Sequence, residues 1–408
     1  MDVKKVGIIG TGSMGGMISL LFAEHGIHTH YYDPSKQDVE ALQSHAKVSK
    51  HEVEIPYHDD HKSLCEVLED GNNPKSARHG PSISPGGSKE ALDKIACKDT
   101  KRRPCVAKLG PGGCRNYVKM IHNGIEHGMM TALCEAWAIM NIRLGMNYEE
   151  IGTVFEKWNG DKQKPLRDKF LSNICADICR TKDEKGNYVL PNVRDKVVQV
   201  VNNSKGTGTW SVQEGTRLHV PDPTIAVVAS ADAARRQTVK QALEGKGVKP
   251  ARIDDFDKDK FHEDQSNAAY ASFLMCSIQG LHVLSKANEE NDWKLDFADV
   301  LQLWRKGCII QSDGIVDLLE TLPKTYPSLK RVVLKAIEFD LHPGALDTSL
   351  EYYKYSGSTE LPTQFQEAEL GYFGAHMFDQ KTAQPGKPVT GNHHFEWKPA
   401  RGVLETDD

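Results

Sequence analysis

Residues 4–33 read KKVGIIGTGSMGGMISLLFAEHGIHTHYYD, and this stretch decides the fold of the first part of the chain. Its opening apolar run is typical of a buried parallel strand and leads into Gly10, Gly12 and Gly15 at the GxGxxG spacing. A helix pattern follows, and then a second strand pattern that ends at Asp33. A strand, a glycine turn, a helix and a later acidic residue together predict a dinucleotide-binding βαβ unit.

The glycine turn lets the backbone approach a pyrophosphate, which then sits at the N-terminus of the following helix. We therefore assign Ser13 and Met14, which lie within the turn, to the cofactor site together with the glycines. A purely structural glycine turn is the alternative. Asp33 would accept hydrogen bonds from a ribose 2′-hydroxyl and favours NAD, whereas Ser35 and Lys36 would receive the 2′-phosphate of NADP. Both cofactors stay open on this evidence.

Length and composition bound the remaining possibilities. The chain has 408 residues, enough for two or three domains, and a formal net charge of −5 that gives no indication of a nucleic-acid or membrane partner. A basic cluster at 98–105 is interpreted as a solvated loop, and the most apolar stretch, 270–284, is too short to span a bilayer. Nine cysteines without CxxC pairs predict a cytoplasmic protein and no metal site.

The strand signal then fades. Between about 56 and 105 there are too few apolar runs for the second half of a doubly wound sheet, in which each βαβ unit takes on the order of 30 residues. Beyond that window the patterns are mainly helical. The clearest predicted helices are 116–145, 168–180, 194–204, 265–288, 297–306 and 312–322.

These patterns predict an α/β plus all-α protein. A truncated Rossmann-like dinucleotide-binding domain at 1–112 is followed by a large helical substrate and dimerisation domain at 113–355. The last segment, 356–408, is rich in glycine, proline and aromatic residues and cannot bury a core of its own. It is either a flexible tail or an arm that packs on a partner, and its aromatic residues favour the arm.

A second stretch, YVKMIHNGIEHGMM at 117–130, carries the chemistry. Lys119, His122, Asn123 and Glu126 fall on one side of a helix, where an apolar stripe is normally found. A solvated surface face or a buried Lys–Glu pair would explain the pattern without function. An acid and a base aimed into one pocket would explain it with function, provided that burial or a neighbouring cation lowers the pKa of Lys119.

Several motifs together resemble one family. They are GIIGTGSMGG (7–16), HGPSISPGG (79–87), GPGGCRNYVKMIHNGIEHGMM (110–130), SKGTGTW (204–210), WRKGCIIQS (304–312) and LGYFGAH (370–376). In this order they resemble 6-phosphogluconate dehydrogenase, the decarboxylating enzyme of the pentose phosphate pathway.

The resemblance implies roles for individual residues. Lys119 matches the general base that takes the proton of the substrate 3-hydroxyl, and Glu126 matches the acid that protonates C1 of the enediol after decarboxylation. The other matched substrate-binding residues are His122, Asn123, His127, Lys205, Thr207 and His376. The family implies NADP as cofactor, a phosphorylated sugar acid as substrate, and a homodimer in which His376 enters the partner's site.

The chain also departs from the family pattern. On the order of 60 residues, about two βα units, are missing between roughly Asp70 and Ser76. Leu370 stands where the family has a phosphate-binding arginine, His127 where it has a tyrosine, and Pro34 where an arginine usually reads the 2′-phosphate. The alternative function is therefore a catalytically silent homologue, or a chain from which an exon has been dropped, that keeps the helical dimer scaffold.

Overall fold

We describe the protein from a computed structural model. The described residues are 5–9, 19–20, 23–24, 26, 28–32, 36–48, 55–58, 98–99, 101–107, 109–111, 113–161, 165–193, 207–227, 242, 257–311, 318–374, 376–381, 391, 393–395 and 397.

The first segment contains the predicted pair of parallel strands. β1 (Lys5–Ile9) pairs with β2 (His28–Tyr32) in parallel register, with Ile9 opposite Tyr32. The helix α1 (Lys36–Val48) follows, and its apolar side packs with Tyr31 in a small core. Tyr31 also forms a parallel bridge to Tyr57, so the chain returns beside β2 at a point that has no clear strand pattern.

Helices dominate the rest of the described chain, and the predicted fold class is confirmed. The helix that carries the polar face, α2 (Cys114–Ala138), runs without a break into a π-helical turn, Ile139–Arg143. The later helices are α3 (Tyr148–Gly160), α4 (Phe170–Arg180), α5 (Thr207–Arg217), α6 (Pro223–Ala226), α7 (Lys258–Asn291), α8 (Phe297–Leu303), α9 (Leu318–Glu338), α10 (Gly344–Gly357) and α11 (Thr363–Gly374).

The main core lies where α2, α7, α9 and α10 meet. Phe261 of α7 packs edge to face on Phe339 with ring centroids 6.3 Å apart, and Val332 and Ala336 of α9 are fully buried beside them. Burial of such side chains contributes about 1.5–3 kcal/mol each relative to an exposed position. The core therefore fixes α2 and α7 against each other, and this contact carries the site described below.

One helix boundary was wrong. The pattern predicted a helix over 312–322 that stopped at Pro323, but α9 begins at Leu318 and continues through Pro323 and Pro327 to Glu338. Proline in a helix interior removes a backbone hydrogen bond and costs about 3 kcal/mol. The buried side chains on the last five turns of α9 offset this cost. The predicted helix at 194–204 lies outside the described residues.

The apolar stretch at 270–284 belongs to a longer helix than its hydrophobicity indicated. Among the described residues α7 alone is long and apolar enough, by length and composition, to cross a membrane. Its most apolar window is 78% buried inside the protein, which is typical of a core helix. The N-terminus of α7 is capped by Asp257, whose carboxylate accepts a hydrogen bond from the backbone N–H of Lys260 at 3.0 Å.

The chain divides into two compact units, Met1–Leu350 and Glu351–Asp408. The domain boundaries predicted above at 112 and 355 stay predictions. The second unit contains α11, a helix within the segment that was predicted to be a tail or an arm. The large apolar side chains in this unit are mostly exposed, as expected of a segment without its own core: Phe365, Tyr372, Phe373, Met377, Phe395 and Trp397.

Asp222, between α5 and α6, gives a prediction about stability. The residue is buried, its Oδ2 atom has no hydrogen-bond partner among the described residues, and burial raises its pKa to about 6. A carboxyl with a folded-state pKa above its unfolded value stabilises the protein below the unfolded pKa, and this contribution is lost as the pH rises through about 6. At pH 8 the loss corresponds to about 3 kcal/mol.

We therefore expect Asp222→Asn to raise the free energy of unfolding at pH 8 by about 2–3 kcal/mol. Urea unfolding followed by circular dichroism between pH 4.5 and 8 measures the difference, which should fall by more than half at the lower pH. The matched control is Asp177→Asn, which changes an exposed carboxyl on α4 and should shift neither value. A difference between Asp222→Asn and the wild type that is constant with pH would contradict the assignment.

Candidate active site

The polar face of α2 is neither in bulk solvent nor sealed in hydrocarbon. The ring of His122 is fully buried, whereas Lys119 is half-buried and the Glu126 side chain is 16% exposed. The Nζ atom of Lys119 lies 3.3 Å from Nδ1 of His122, and Oε2 of Glu126 lies 3.7 Å from the same nitrogen. One face of one helix thus holds an amine and a carboxylate on either side of an imidazole.

The N-terminus of α5 closes one side of this group. The side-chain amide of Asn123 donates a hydrogen bond to the Thr207 hydroxyl at 3.2 Å, so two residues predicted to bind substrate lie together. Gly124 makes the close approach possible, because a Cβ there would lie 2.7 Å from Cβ of Ser211. The Ser211 hydroxyl in turn lies 2.8 Å from the carbonyl oxygen of Met120 and ties α5 to α2.

Gly128 allows α2 to pack equally closely against α7. A Cβ at this position would lie 2.6 Å from the Sγ atom of Cys276, which is fully buried. Gly280 of α7 allows the same close approach from the other helix, because the side chains of Ile121 and Ile125 of α2 fill the space over its backbone. Glycine is costly inside a helix, and these contacts explain why it is found here.

The segment that follows α8 covers the site from another side. Trp304, fully buried, meets the His122 ring edge to face with centroids 6.1 Å apart. The buried Cys308 thiol lies close enough to Lys119 and Glu126 for their charges to act on it, and burial raises its pKa to about 12. The motif WRKGCIIQS was noted in the sequence, but no pattern indicated that it would lie against residues some 180 positions earlier.

The basic cluster at 98–105 is more ordered than a solvated loop. Asp99 is buried and accepts hydrogen bonds from the backbone N–H groups of Lys101 and Arg103, and from the Arg103 guanidinium at 2.9 Å. Gln302 of α8 reaches both the Asp99 carboxylate and the carbonyl oxygen of Pro104 at 3.3 Å. The basic side chains point outward as predicted, but the buried aspartate anchors the turn to α8.

Burial sets the electrostatics of the site. It lowers the pKa of Lys119, with the charge of Glu126 acting in the opposite direction. It raises the pKa of Glu126, which the charge of Lys119 in turn lowers. Desolvation disfavours both charged forms, so the neutral amine and the neutral acid are each easier to reach here than in water. Burial and the charge of Lys119 lower the pKa of His122 to about 3, so its ring is uncharged.

The other predicted substrate residues fall into three groups. The half-buried ring of His127 packs over the backbone of Gly208 at the seam between α2 and α5, and burial lowers its pKa. His376 belongs to the second compact unit, where it is exposed. Lys205 lies outside the described residues.

The two described strands β1 and β2 flank the predicted cofactor residues. Gly10, Gly12, Ser13, Met14, Gly15, Asp33 and Ser35 lie outside the described residues, as does the side chain of Lys36. Because β1 and β2 are parallel and in register, the turn after Ile9 and the residue after Tyr32 leave the same edge of the sheet. A dinucleotide needs this arrangement of the glycine turn and the acidic residue, so the flanking strands fit the cofactor.

Comparison with known proteins identifies the family. The profile of the 6-phosphogluconate dehydrogenase C-terminal domain matches residues 115–322 and 315–397. The chain is 40% identical over 374 residues to decarboxylating 6-phosphogluconate dehydrogenase from Emericella nidulans, covering 80% of this chain and 75% of the relative. The chain belongs to the 6-phosphogluconate dehydrogenase family.

A second relative, a match to the N-terminal residues and a solved structure support the same family. The enzyme of the same description from Mus musculus is 32% identical over 352 residues, covering 79% of this chain and 70% of the relative. Residues 5–67 match the NAD binding domain of 3-hydroxyacyl-CoA dehydrogenase. A solved structure of Plasmodium falciparum 6-phosphogluconate dehydrogenase superimposes on this chain with a TM-score of 0.75 at 25% identity. The match covers 96% of this chain and all of the other. That enzyme is described in its apo form, in complex with its cofactor NADP+ and in complex with its substrate 6-phosphogluconate.

Proposed function

We propose that the protein catalyses the oxidative decarboxylation of 6-phosphogluconate to ribulose 5-phosphate and carbon dioxide with reduction of NADP. One observation carries the proposal: Lys119 and Glu126 converge on His122 on the half-buried face of a helix whose sequence matches the family profile. A solvated face would have left both groups in water, and a structural ion pair would have brought their charged atoms together.

Lys119 and Glu126 have separate roles in this reaction. Lys119, as the neutral amine, takes the proton of the substrate 3-hydroxyl. NADP, when held at the glycine turn, would supply the acceptor for the hydride from C3. Loss of carbon dioxide from the resulting β-keto acid leaves an enediol, which Glu126 protonates at C1. Asn123, held by Thr207, and His122 orient the sugar acid between the two groups. Proton transfer by positioned groups of this kind contributes about 10²–10⁴-fold to a rate.

The cofactor would be held by the turn at Gly10, Gly12 and Gly15, with Ser35 and Lys36 at the 2′-phosphate. NADP is favoured over NAD because a structural neighbour is described with NADP+. Pro34, in place of the usual arginine, leaves fewer donors for that phosphate, so a comparison of the two cofactors belongs to the test.

A catalytically silent homologue is the second candidate. The curated relatives match over about 70–75% of their length, which agrees with a missing segment in the nucleotide-binding domain. Leu370, half-buried on α11, offers no hydrogen-bond donor to a phosphate. Such a homologue would fold and bind ligand without turnover.

One assay separates the two candidates. Purified protein is mixed with 6-phosphogluconate and NADP, or NAD, and absorbance of the reduced nicotinamide is followed. Gluconate without the phosphate serves as the matched substrate control, and it tests whether Leu370 has shifted the substrate class. An increase in this absorbance with 6-phosphogluconate supports the enzyme. If no combination of substrate and cofactor increases the absorbance, but calorimetry shows that the protein binds NADP, the silent homologue is supported.

The protein is further proposed to be a cytoplasmic homodimer. The exposed aromatic side chains of the second unit, such as Phe365 and Phe373, form an apolar surface that a second copy of the chain would cover. The seven described cysteines are free thiols, in keeping with a reducing compartment. Sedimentation equilibrium at twice the chain mass of 45.4 kDa would support the dimer, and a monomer at micromolar concentration would exclude it.

A further inference from the structure

Two ionisable side chains of α2 approach a single atom, Nδ1 of His122. The Lys119 amine lies 3.3 Å away and the Glu126 carboxylate 3.7 Å away. The other ring nitrogen, Nε2, is buried and has no hydrogen-bond partner in the part of the chain that the structure describes. Of the two nitrogens, Nδ1 is therefore the one placed to exchange a proton with either neighbour.

The surroundings of the ring add few competing groups. On the same helix, Asn123 places its Oδ1 atom 3.3 Å from Nδ1, and this oxygen accepts a hydrogen bond from the ring only while Nδ1 carries a proton. From the segment after α8 come the Trp304 ring and the Cys308 thiol, which is neutral because burial raises its pKa to about 12. Helix α5 contributes the uncharged Thr207 through Asn123. Within the described chain, Lys119 and Glu126 are thus the ionisable side chains placed within 4 Å of Nδ1.

The proposed reaction leaves these two groups in the wrong state for another cycle. Chemistry starts with Lys119 neutral and Glu126 protonated, and it ends with Lys119 protonated and Glu126 ionised. One proton must then move from the amine to the carboxylate before the next substrate can react. The proton count of the pair is unchanged, so no exchange with solvent is required if a path joins them.

We propose that Nδ1 of His122 is this path, and that the residue resets the acid and the base after each turnover. The lone pair of Nδ1 takes a proton from the Lys119 ammonium group, so an N–H bond forms at Nδ1 as one breaks at Nζ. The ring is briefly an imidazolium. It then gives the same proton to Oε2 of Glu126 and returns to the neutral ring that carries its hydrogen on Nε2. The step is a proton transfer without any change in oxidation state. This proposal rests on the function proposed above.

Burial favours the direction of this transfer. It disfavours the ammonium of Lys119 and the carboxylate of Glu126, so moving the proton neutralises two desolvated charges. It also lowers the pKa of His122 to about 3, so the imidazolium stays a short-lived intermediate and does not trap the proton.

The variant His122→Asn tests the relay. The asparagine amide reaches the region occupied by Nδ1 and can hydrogen-bond there, but it does not take up a proton at neutral pH. Because His122 also orients the sugar acid, we expect rapid-mixing experiments to show a first turnover that is slower than in the wild type, followed by later turnovers about 100-fold slower than that first one. Added imidazole should accelerate the slow phase. The matched control is His282→Asn, an exposed histidine on α7, which should behave as wild type.

Other outcomes would overturn the relay. A first turnover slowed as much as the later ones would show that His122 acts only by holding substrate, and an unchanged steady state would show that it is not needed. The tautomer provides a readout without turnover: ¹⁵N NMR of histidine-labelled protein should find His122 protonated at Nε2 and bare at Nδ1 between pH 6 and 9. A permanent proton on Nδ1 would exclude the relay.

The NMR readout also separates this inference from the proposed function. Wild-type protein that gives no turnover refutes the enzyme, and the tautomer then decides whether the path exists. If His122→Asn fails to fold, the spectrum of the wild type decides the matter in the same way.

Discussion

Replacing Lys119 by methionine is expected to lower kcat by at least about 10³-fold. Methionine keeps the length and the apolar stem of lysine but has no amine to accept the hydroxyl proton. Among the described residues of this helix face, His122 does not replace Lys119 as the base, because its pKa of about 3 lets the ring hold a proton only transiently. Steady-state kinetics with 6-phosphogluconate and NADP measures the effect, and KM should change far less than kcat, as expected when a transition-state interaction is lost.

The control for Lys119→Met is Lys330→Met, which changes an exposed lysine on α9. It should leave kcat within about twofold of wild type, because surface changes away from special features alter little. Unfolding curves of both variants establish that each is folded. If Lys119→Met retained turnover near the wild-type value, Lys119 would not be the base, and the proposed division of roles on α2 would have to be abandoned.

Gly128→Ala is expected to destabilise the protein by about 2–3 kcal/mol. The new Cβ would lie 2.6 Å from the Sγ atom of Cys276, well inside van der Waals contact, and that side chain is fully buried. Neither α2 nor α7 can yield easily, because both are held in the main core. Chemical denaturation of the single variant against wild type gives the free energy directly.

A second substitution should restore much of this loss. In Gly128→Ala/Cys276→Ala the clashing sulfur is gone, and the nearest remaining atoms are the Thr224 carbonyl oxygen at 3.4 Å and the Cys276 Cβ at 3.7 Å, both ordinary contacts. The double variant should be more stable than the sum of the two single changes predicts, by more than 1 kcal/mol. Gly160→Ala, with no atom within 4 Å of the new Cβ, is the control and should be neutral or slightly stabilising. Simple additivity would refute the steric explanation.

The sequence predicted those features that depend on local periodicity. The face of Lys119, His122 and Glu126 follows from helical geometry, and the strand pair β1–β2 follows from the apolar runs on either side of the glycine turn. In each case neighbours in sequence are enough to determine the geometry.

Other features depend on residues far apart in the chain and had no such signal. The wall formed by Trp304 and Cys308 requires knowledge of how α8 packs, and the continuation of α9 past Pro323 requires knowledge of the core that it enters. The parallel bridge of Tyr57 to β2 was missed because a single bridge leaves no apolar run to read. Local propensity predicts against a helix at proline, and tertiary burial overrides it.

The backbone contacts at Gly124 and Gly128 have a mechanical consequence. At these two positions the backbone of α2 lies directly against the side chains of Ser211 and Cys276, so the helix has little room to tilt. A conformational change that encloses the sugar acid and expels water would therefore involve segments other than α2. We therefore expect the backbone positions of Lys119 and Glu126 to keep their spacing when substrate binds.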